Sequence, residues 1–179
     1  MTLLTPRPSN QDRASFVQSY GGIYEDSPWI VEAVADRVGD GSLDTAEALA
    51  EAMAAVVDQA PLLEQMKLIR AHPDLAGKAA IGGELSEAST AEQASAGLDQ
   101  CTPEEFAAFE ALNRDYHEKF GFPFIIAVKG KSRGDILAAF RARLTNDFEA
   151  EKAEALRQIH RIAQLRLAEH TVSNAEVGE

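Results

Sequence analysis

Strong helix-start signals recur along this chain and divide most of it into amphipathic helices. Ser27-Pro28 combines an N-cap serine with proline at the first helical position. Thr102-Pro103-Glu104-Glu105 is a capping box that carries the same proline. Ser132 and the stretch 146–149 precede two further helical patterns. Since six or more such patterns fill nearly the whole chain, the sequence predicts an all-α fold, a compact single-domain bundle of six or more helices.

One stretch departs from this pattern. Phe120 to Gly130 is aromatic and β-branched, and Pro123 interrupts it. A lone strand has no partner in a helical protein, so its backbone N–H and C=O groups need other partners if the stretch is buried. Two interpretations stay open. Neighbouring helix ends satisfy it as one buried extended loop, or a polar heterocyclic ligand binds its backbone.

The charge balance limits the partners. With 17 Lys and Arg against 29 Asp and Glu the net charge is −12, which argues against nucleic acid and against an anionic membrane surface. No apolar run reaches the length of a membrane span. The single cysteine, Cys101, cannot form an internal disulfide, so nothing in the cysteine content indicates an oxidising compartment. We therefore expect a soluble, cytoplasmic protein. The polar residues 171–179 are predicted to form a tail on a single domain, 1–179.

His72 lies where a helical pattern meets a proline. The residue before proline is disfavoured in the α conformation, so His72 is predicted at a fixed helix-to-loop junction. It either interacts with the last carbonyls of the helix or takes part in chemistry. His72 and Asp74 lack two further ligands at a recognisable spacing, so no metal site is predicted.

Ser89 and Glu92 form a second candidate. Ser-x-x-Glu predicts a capping box, with the serine at the N-cap and the glutamate three residues later. A helix N-terminus also gathers backbone N–H groups that bind anions, so a cap and a ligand cradle can be the same residues.

Arg166 is the third candidate. It shares one stripe of the last helix with Ala155, Ile159 and Ile162, at i, i+4, i+7 and i+11. An arginine on a core stripe needs an anionic partner. Either a carboxylate of the chain pairs with it, or it clamps a substrate carboxylate. We expect the second, with Arg166 facing a wet pocket in the free protein.

Together these stretches resemble the 2-oxo-4-hydroxy-4-carboxy-5-ureidoimidazoline (OHCU) decarboxylases of urate catabolism. The resemblance covers most of the chain and rests on the order and spacing of its motifs. These motifs are Ser27-Pro28-Trp29, His72-Pro73-Asp74-Leu75, Ser89-Thr90-Ala91-Glu92-Gln93 with Ala96-Gly97-Leu98, Asn113 with Tyr116, Lys119-Phe120-Gly121-Phe122-Pro123-Phe124, and Ile162 with Arg166-Leu167. The resemblance implies an all-helical, cofactor-free homodimer that converts the small molecule OHCU to (S)-allantoin.

The same resemblance implies the site residues. His72 and Glu92 are the expected catalytic residues, with His72 moving the proton and Glu92 orienting it or sharing the transfer. The expected substrate-binding residues are Pro73, Ser89, Gln93, Phe124, Ile125, Ile126, Ala127, Val128 and Arg166. Two other functions stay open: a non-catalytic helical ligand-binding module, and a ureide hydrolase that uses the same histidine and glutamate.

Overall fold

The computed structural model describes residues 2–77 and 84–171. Eight α-helices lie within these ranges, and the part described contains no β-strand, only two isolated bridges. The helices are α1 Arg13–Tyr20, α2 Pro28–Val34, α3 Ala46–Gln59, α4 Leu62–Ala71, α5 Glu87–Ser95, α6 Pro103–Phe120, α7 Arg133–Arg143 and α8 Phe148–Glu169. Short 3-10 helices span Pro8–Asn10, Ala35–Asp40 and Leu98–Gln100. The all-α prediction is confirmed.

Local capping chemistry sets several helix boundaries where the sequence predicts them. The Thr102 hydroxyl accepts the Glu105 N–H, and the Glu105 side chain accepts the Thr102 N–H, each at 3.1 Å. Ser132 makes the same reciprocal cap at the start of α7. At the other end of α6, Gly121 has φ 73° and donates its N–H to the His117 carbonyl. This left-handed position favours glycine.

The sequence pattern also predicts helix starts at Ser9 and at Asp44, and these predictions are wrong by three residues and by one. Asp12, not Ser9, caps the first α-helix, and its side chain accepts the Ser15 N–H. Thr45, not Asp44, caps α3. Asp44 instead accepts the Ser9 N–H at 2.8 Å and the Ser9 hydroxyl at 2.6 Å. The Asp44 carboxylate therefore bonds Ser9, a distant residue in the chain, and does not cap α3.

The chain forms two compact units. One consists of the chain up to Ala71 together with the chain from His160 onward. The other runs from His72 to Ile159. The prediction of a single domain stays a prediction, and residues 172–179 of the predicted tail lie outside the described residues. In the described part, no helix is both long and apolar enough to cross a membrane.

An aromatic cluster forms the core of the second unit. The Tyr116 ring makes edge contacts with Phe122, Phe124 and Phe140, at centroid distances of 5.7, 5.5 and 5.8 Å. Phe124 and Phe140 stack with centroids 3.9 Å apart. Such pairs add to the free energy gained by burial alone. They fasten the Phe122–Val128 segment, which is buried throughout, to α6 and α7.

Candidate functional site

His72 is the first residue after α4, and the helix ends at Ala71, as the following proline predicts. The residue is 8% exposed, so its imidazole is held in the interior and not on a solvated helix end. Pro73 beside it is half-buried. The predicted helix-to-loop junction is confirmed.

Three consecutive backbone groups fix the loop that follows His72. Gln93 donates its Nε2 to the Asp74 carbonyl at 3.2 Å, and its Oε1 accepts the Ala76 N–H at 3.0 Å. Between them, Asn113 Nδ2 donates to the Leu75 carbonyl at 3.0 Å. Side chains from α5 and α6 thus hold the loop that begins at His72.

The same loop carries backbone strain. Ala76 has φ 50°, in the left-handed region that a residue with a Cβ rarely adopts. Such a conformation costs about 1–2 kcal/mol and persists only where the surroundings enforce it. The bond from Ala76 N–H to Gln93 supplies that constraint, and non-glycine strain of this kind clusters at functional sites.

The predicted capping box at Ser89 and Glu92 is wrong. Ser86 is the N-cap of α5, and its hydroxyl accepts the Ser89 N–H at 3.2 Å. Ser89 therefore lies in the first turn, where its side chain is buried, and Glu92 lies within the helix, partly exposed. Neither residue caps the helix, so capping does not account for the Glu92 carboxylate.

Two backbone groups of the buried Phe122–Val128 segment have hydrogen-bond partners within the chain. Arg143 Nη1 donates to the Ile125 carbonyl at 2.5 Å, and the Ala127 N–H donates to Gln158 Oε1 at 3.0 Å. Helix side chains provide these partners, and one of them, Arg143, is the last residue of α7. Ile126 lies between them and is 7% exposed. In the part of the chain that the structure describes, its backbone N–H and C=O make no hydrogen bond.

Arg166 lies in the first unit and has a partner inside the chain. Its Nη1 donates to Glu25 Oε2 at 2.9 Å, and the two side chains are only 6% and 7% exposed. The expectation that Arg166 faces a wet pocket in the free protein is wrong. The stripe itself is confirmed, because Ala155, Ile159 and Ile162 are buried as well.

The sequence interpretation missed a fully buried carboxylate, Glu151, which is 0% exposed. It accepts hydrogen bonds from the Tyr116 hydroxyl at 2.6 Å, Arg143 Nε at 2.7 Å and Asn146 Nδ2 at 3.0 Å. Burial and the bond to Glu151 raise the pKa of Tyr116 well above its usual range. Glu151 lies four residues before Ala155, so extending the Arg166 stripe backwards by one turn identifies it.

A cavity of about 600 Å³ opens beside α5. Its mainly apolar lining includes Ala76, Thr90, Leu98, Cys101 and Phe106, and Gln93 is the predicted site residue found in it. Burial is the main cause that raises the pKa of the Cys101 thiol, which disfavours the thiolate that a nucleophile needs.

Within residues 2–77 and 84–171, no three His, Cys, Asp or Glu side chains are grouped to hold a metal.

Comparisons with known proteins agree with the motifs. The sequence model of the OHCU decarboxylase family matches residues 9–168. The 2-oxo-4-hydroxy-4-carboxy-5-ureidoimidazoline decarboxylase of Halalkalicoccus jeotgali is 42% identical over 173 residues, covering 96% of this chain and 94% of that protein.

Two solved structures share the fold. (S)-allantoin synthase superposes with a TM-score of 0.73 at 31% identity, and the match covers 91% of this chain and 52% of that one. An OHCU decarboxylase in the presence of (S)-allantoin gives a TM-score of 0.63 at 22% identity, covering 84% of this chain and 95% of that chain.

Proposed function

This chain belongs to the OHCU decarboxylase family, and from that membership we propose that it decarboxylates OHCU to (S)-allantoin in urate degradation. The observation that carries the proposal is the 42% identity, over nearly the full length of both chains, to a protein named for this reaction. A cofactor-independent lyase is the enzyme class that follows.

The chemistry needs positioned acid–base groups. The bond from the ring to the carboxylate breaks, carbon dioxide leaves, and the electron pair moves into the conjugated ring. The ring nitrogen that receives the electron pair takes up a proton, while the hydroxyl on the same carbon loses its proton and becomes the ring carbonyl. A proton is then delivered to one face of the neighbouring carbon that bears the ureido group, which sets the configuration. Proton transfer by a side chain held within reach accelerates such steps by about 10²–10⁴-fold.

We assign the proton transfer to His72, with Glu92 orienting the imidazole or sharing the transfer. His72 is buried at the start of a loop that Gln93 and Asn113 hold through three backbone bonds. Since Ser86 caps the helix, capping does not explain the Glu92 carboxylate, and this supports a catalytic role for it. A fixed imidazole in a buried setting supports the proposal, because catalysis depends on a near-attack geometry.

We place the substrate against Pro73, Ser89 and the backbone of the Phe124–Val128 stretch. The N–H and C=O of Ile126 offer a donor and an acceptor that match the amide edges of a ureido-substituted ring. Gln93 already bonds the loop with both ends of its amide, so what remains for the substrate is the second N–H of Nε2 and the second lone pair of Oε1. The role of Arg166 as a substrate clamp remains a prediction from the family resemblance, and its ion pair with Glu25 supports a structural role first.

We also propose a homodimer, as the family resemblance implies, and a cytoplasmic location. The strongly anionic composition and the single cysteine support that location.

Incubating freshly prepared OHCU with the purified protein tests the proposed function. We expect carbon dioxide release together with optically active (S)-allantoin. Release of ammonia or an open-chain acid without carbon dioxide would instead indicate a ureide hydrolase. Saturable binding without turnover would indicate a ligand-binding module.

A further inference from the structure

We propose that Arg143, held by Glu151, and Gln158 are positioning residues for the substrate. They fix the backbone on either side of Ile126 and leave its N–H and C=O open to the ring amides of OHCU. The inference rests on the proposed function, because it takes OHCU, the substrate of that reaction, to be the ligand of the Ile126 backbone.

Glu151 holds Arg143 in one orientation. Its Oε1 accepts Arg143 Nε at 2.7 Å and lies 2.6 Å from Arg143 Nη2, while the Tyr116 hydroxyl donates to the same oxygen. Asn146 donates to the second oxygen. Because the guanidinium is planar, holding its Nε and Nη2 edge against one carboxylate oxygen fixes the direction of the remaining nitrogen, Nη1.

That remaining nitrogen bonds the segment. Arg143 Nη1 donates to the Ile125 carbonyl, and the Arg143 Cζ lies 4.4 Å from the centroid of the Phe124 ring. One guanidinium thus contacts the buried carboxylate, the backbone and an aromatic face. Two adjacent residues of the Phe122–Val128 segment are held by it.

Gln158 holds Ala127, two residues after Ile125. Its Nε2 donates to Glu154 Oε1 at 2.8 Å, which leaves Oε1 to accept the Ala127 N–H at 3.0 Å. A carboxylate can only accept while it is ionised, so Glu154 selects the orientation of the Gln158 amide. Hydrogen bonds to Gln158 and Arg157 hold the pKa of Glu154 below its usual range despite burial, which keeps it an acceptor at neutral pH.

The pattern of bonds points to one open edge. Pro123 to Val128 form no helix, strand or turn, and their peptide bonds are trans, so the C=O and the N–H of each peptide unit point in opposite directions. The Ile125 C=O points to Arg143 of α7 and the Ala127 N–H points to Gln158 of α8, so the N–H and C=O of Ile126 point away from these two side chains. Buried backbone groups are almost always paired in a native protein, so an open pair at Ile126 is the feature to be explained.

The energetics favour a geometric role for the buried pair. Desolvating a carboxylate and a guanidinium opposes their attraction, and apolar residues of similar volume are often as stabilising. The Glu151–Arg143 pair, whose side chains are 0% and 11% exposed, is therefore not required for stability as such. Aiming Nη1 at the Ile125 carbonyl is something an apolar pair cannot do.

The test is the variant Arg143→Lys, which keeps the charge beside Glu151 and loses the planar fork. We expect KM for OHCU to rise at least about tenfold while kcat stays within about twofold, the pattern of lost uniform binding. The dissociation constant for (S)-allantoin, used as a non-reacting probe, should rise by a similar factor. The matched control is Arg133→Lys, because Arg133 also bridges a carboxylate, Glu105, and a backbone carbonyl, that of Gly97. The control should leave both constants unchanged.

Gln158→Leu extends the test without disturbing a buried charge. It should raise KM in the same way, and it should speed amide hydrogen exchange at Ala127. If Arg143→Lys does not fold, Gln158→Leu decides the matter alone. Wild-type KM and (S)-allantoin affinity in the folded variants would overturn the positioning role. Wild-type protein that releases no carbon dioxide from OHCU would refute the proposed function instead, and the exchange rate at Ala127 would still report on the segment.

Discussion

Arg166 Nη1 and Glu25 Oε2 form an ion pair 2.9 Å apart between side chains separated by 141 residues in the chain. The same nitrogen lies 3.3 and 3.4 Å from the carbonyl oxygens of Gly22 and Ile23. Asp26, the residue after Glu25, has φ 44°, which a non-glycine residue adopts only under constraint. Arg166 therefore organises the connection between α1 and α2, whatever it contributes to a ligand.

Removing the arginine should destabilise the fold. In Arg166→Met the buried Glu25 loses its partner, and the free energy of unfolding should fall by about 3–5 kcal/mol, as for other broken buried pairs. Urea denaturation of the purified variant measures it. Arg13→Met is the control, because Arg13 pairs with the exposed Asp36 and should cost less than about 1 kcal/mol. If Arg166→Met unfolds at the wild-type urea concentration but loses activity, the substrate clamp predicted from the sequence is the better description.

Glu92→Gln separates catalysis from stability. Since Ser86 caps α5, the substitution removes no cap, and the unfolding free energy should stay at the wild-type value. Loss of the carboxylate should lower kcat by about 10²-fold or more if Glu92 shares the proton transfer. Ser86→Ala provides the opposite control, with about 1 kcal/mol less stability and an unchanged kcat. Full activity in Glu92→Gln would remove Glu92 from the catalytic residues.

Alkaline pH should destabilise the protein through Tyr20. Burial, with a smaller contribution from the Asp44 charge, raises the pKa of Tyr20 to about 12, against about 10 in the unfolded chain. Because the unfolded state ionises first, the contribution is complete below about pH 10 and is lost as the pH rises to about 12. Unfolding free energies measured across this range should fall with pH, and Tyr20→Phe should show a shallower slope. An identical slope in the variant would show that Tyr20 is not responsible.

Activity should not depend on a metal ion. No ligand set was predicted from the sequence, and the described residues contain no group of three potential ligands. Exhaustive dialysis against a chelator should leave kcat/KM for OHCU unchanged. Activity that disappears and returns with one divalent ion would contradict this.

Sequence reasoning succeeded where the physics is local. The capping box at Thr102 and the helix stop before Pro73 depend on residues within one turn, so their positions could be predicted. It failed at Ser89, because Ser86 lies three residues earlier and offers the same hydroxyl. Nothing in the pattern distinguishes the two serines before the helix start is known.

The polar partners of the core needed the three-dimensional structure. Glu25 is one of 29 acidic residues, and no local signal connects it with Arg166 across 141 positions. The bonds from Gln93 and Asn113 to the His72 loop are also long-range. Glu151 is different, since the stripe that singled out Arg166 also contains it and could have predicted a second buried charge.

The most direct test of proton transfer by His72 is the turnover of His72→Asn with fresh OHCU. Carbon dioxide release and the optical activity of the product are followed together, at matched concentrations of folded wild-type and variant protein. We expect a normal thermal unfolding curve and a kcat lower by about 10²–10⁴-fold, because asparagine fills the buried position but cannot transfer the proton. A folded His72→Asn that forms (S)-allantoin at the wild-type rate would contradict the central role of this histidine.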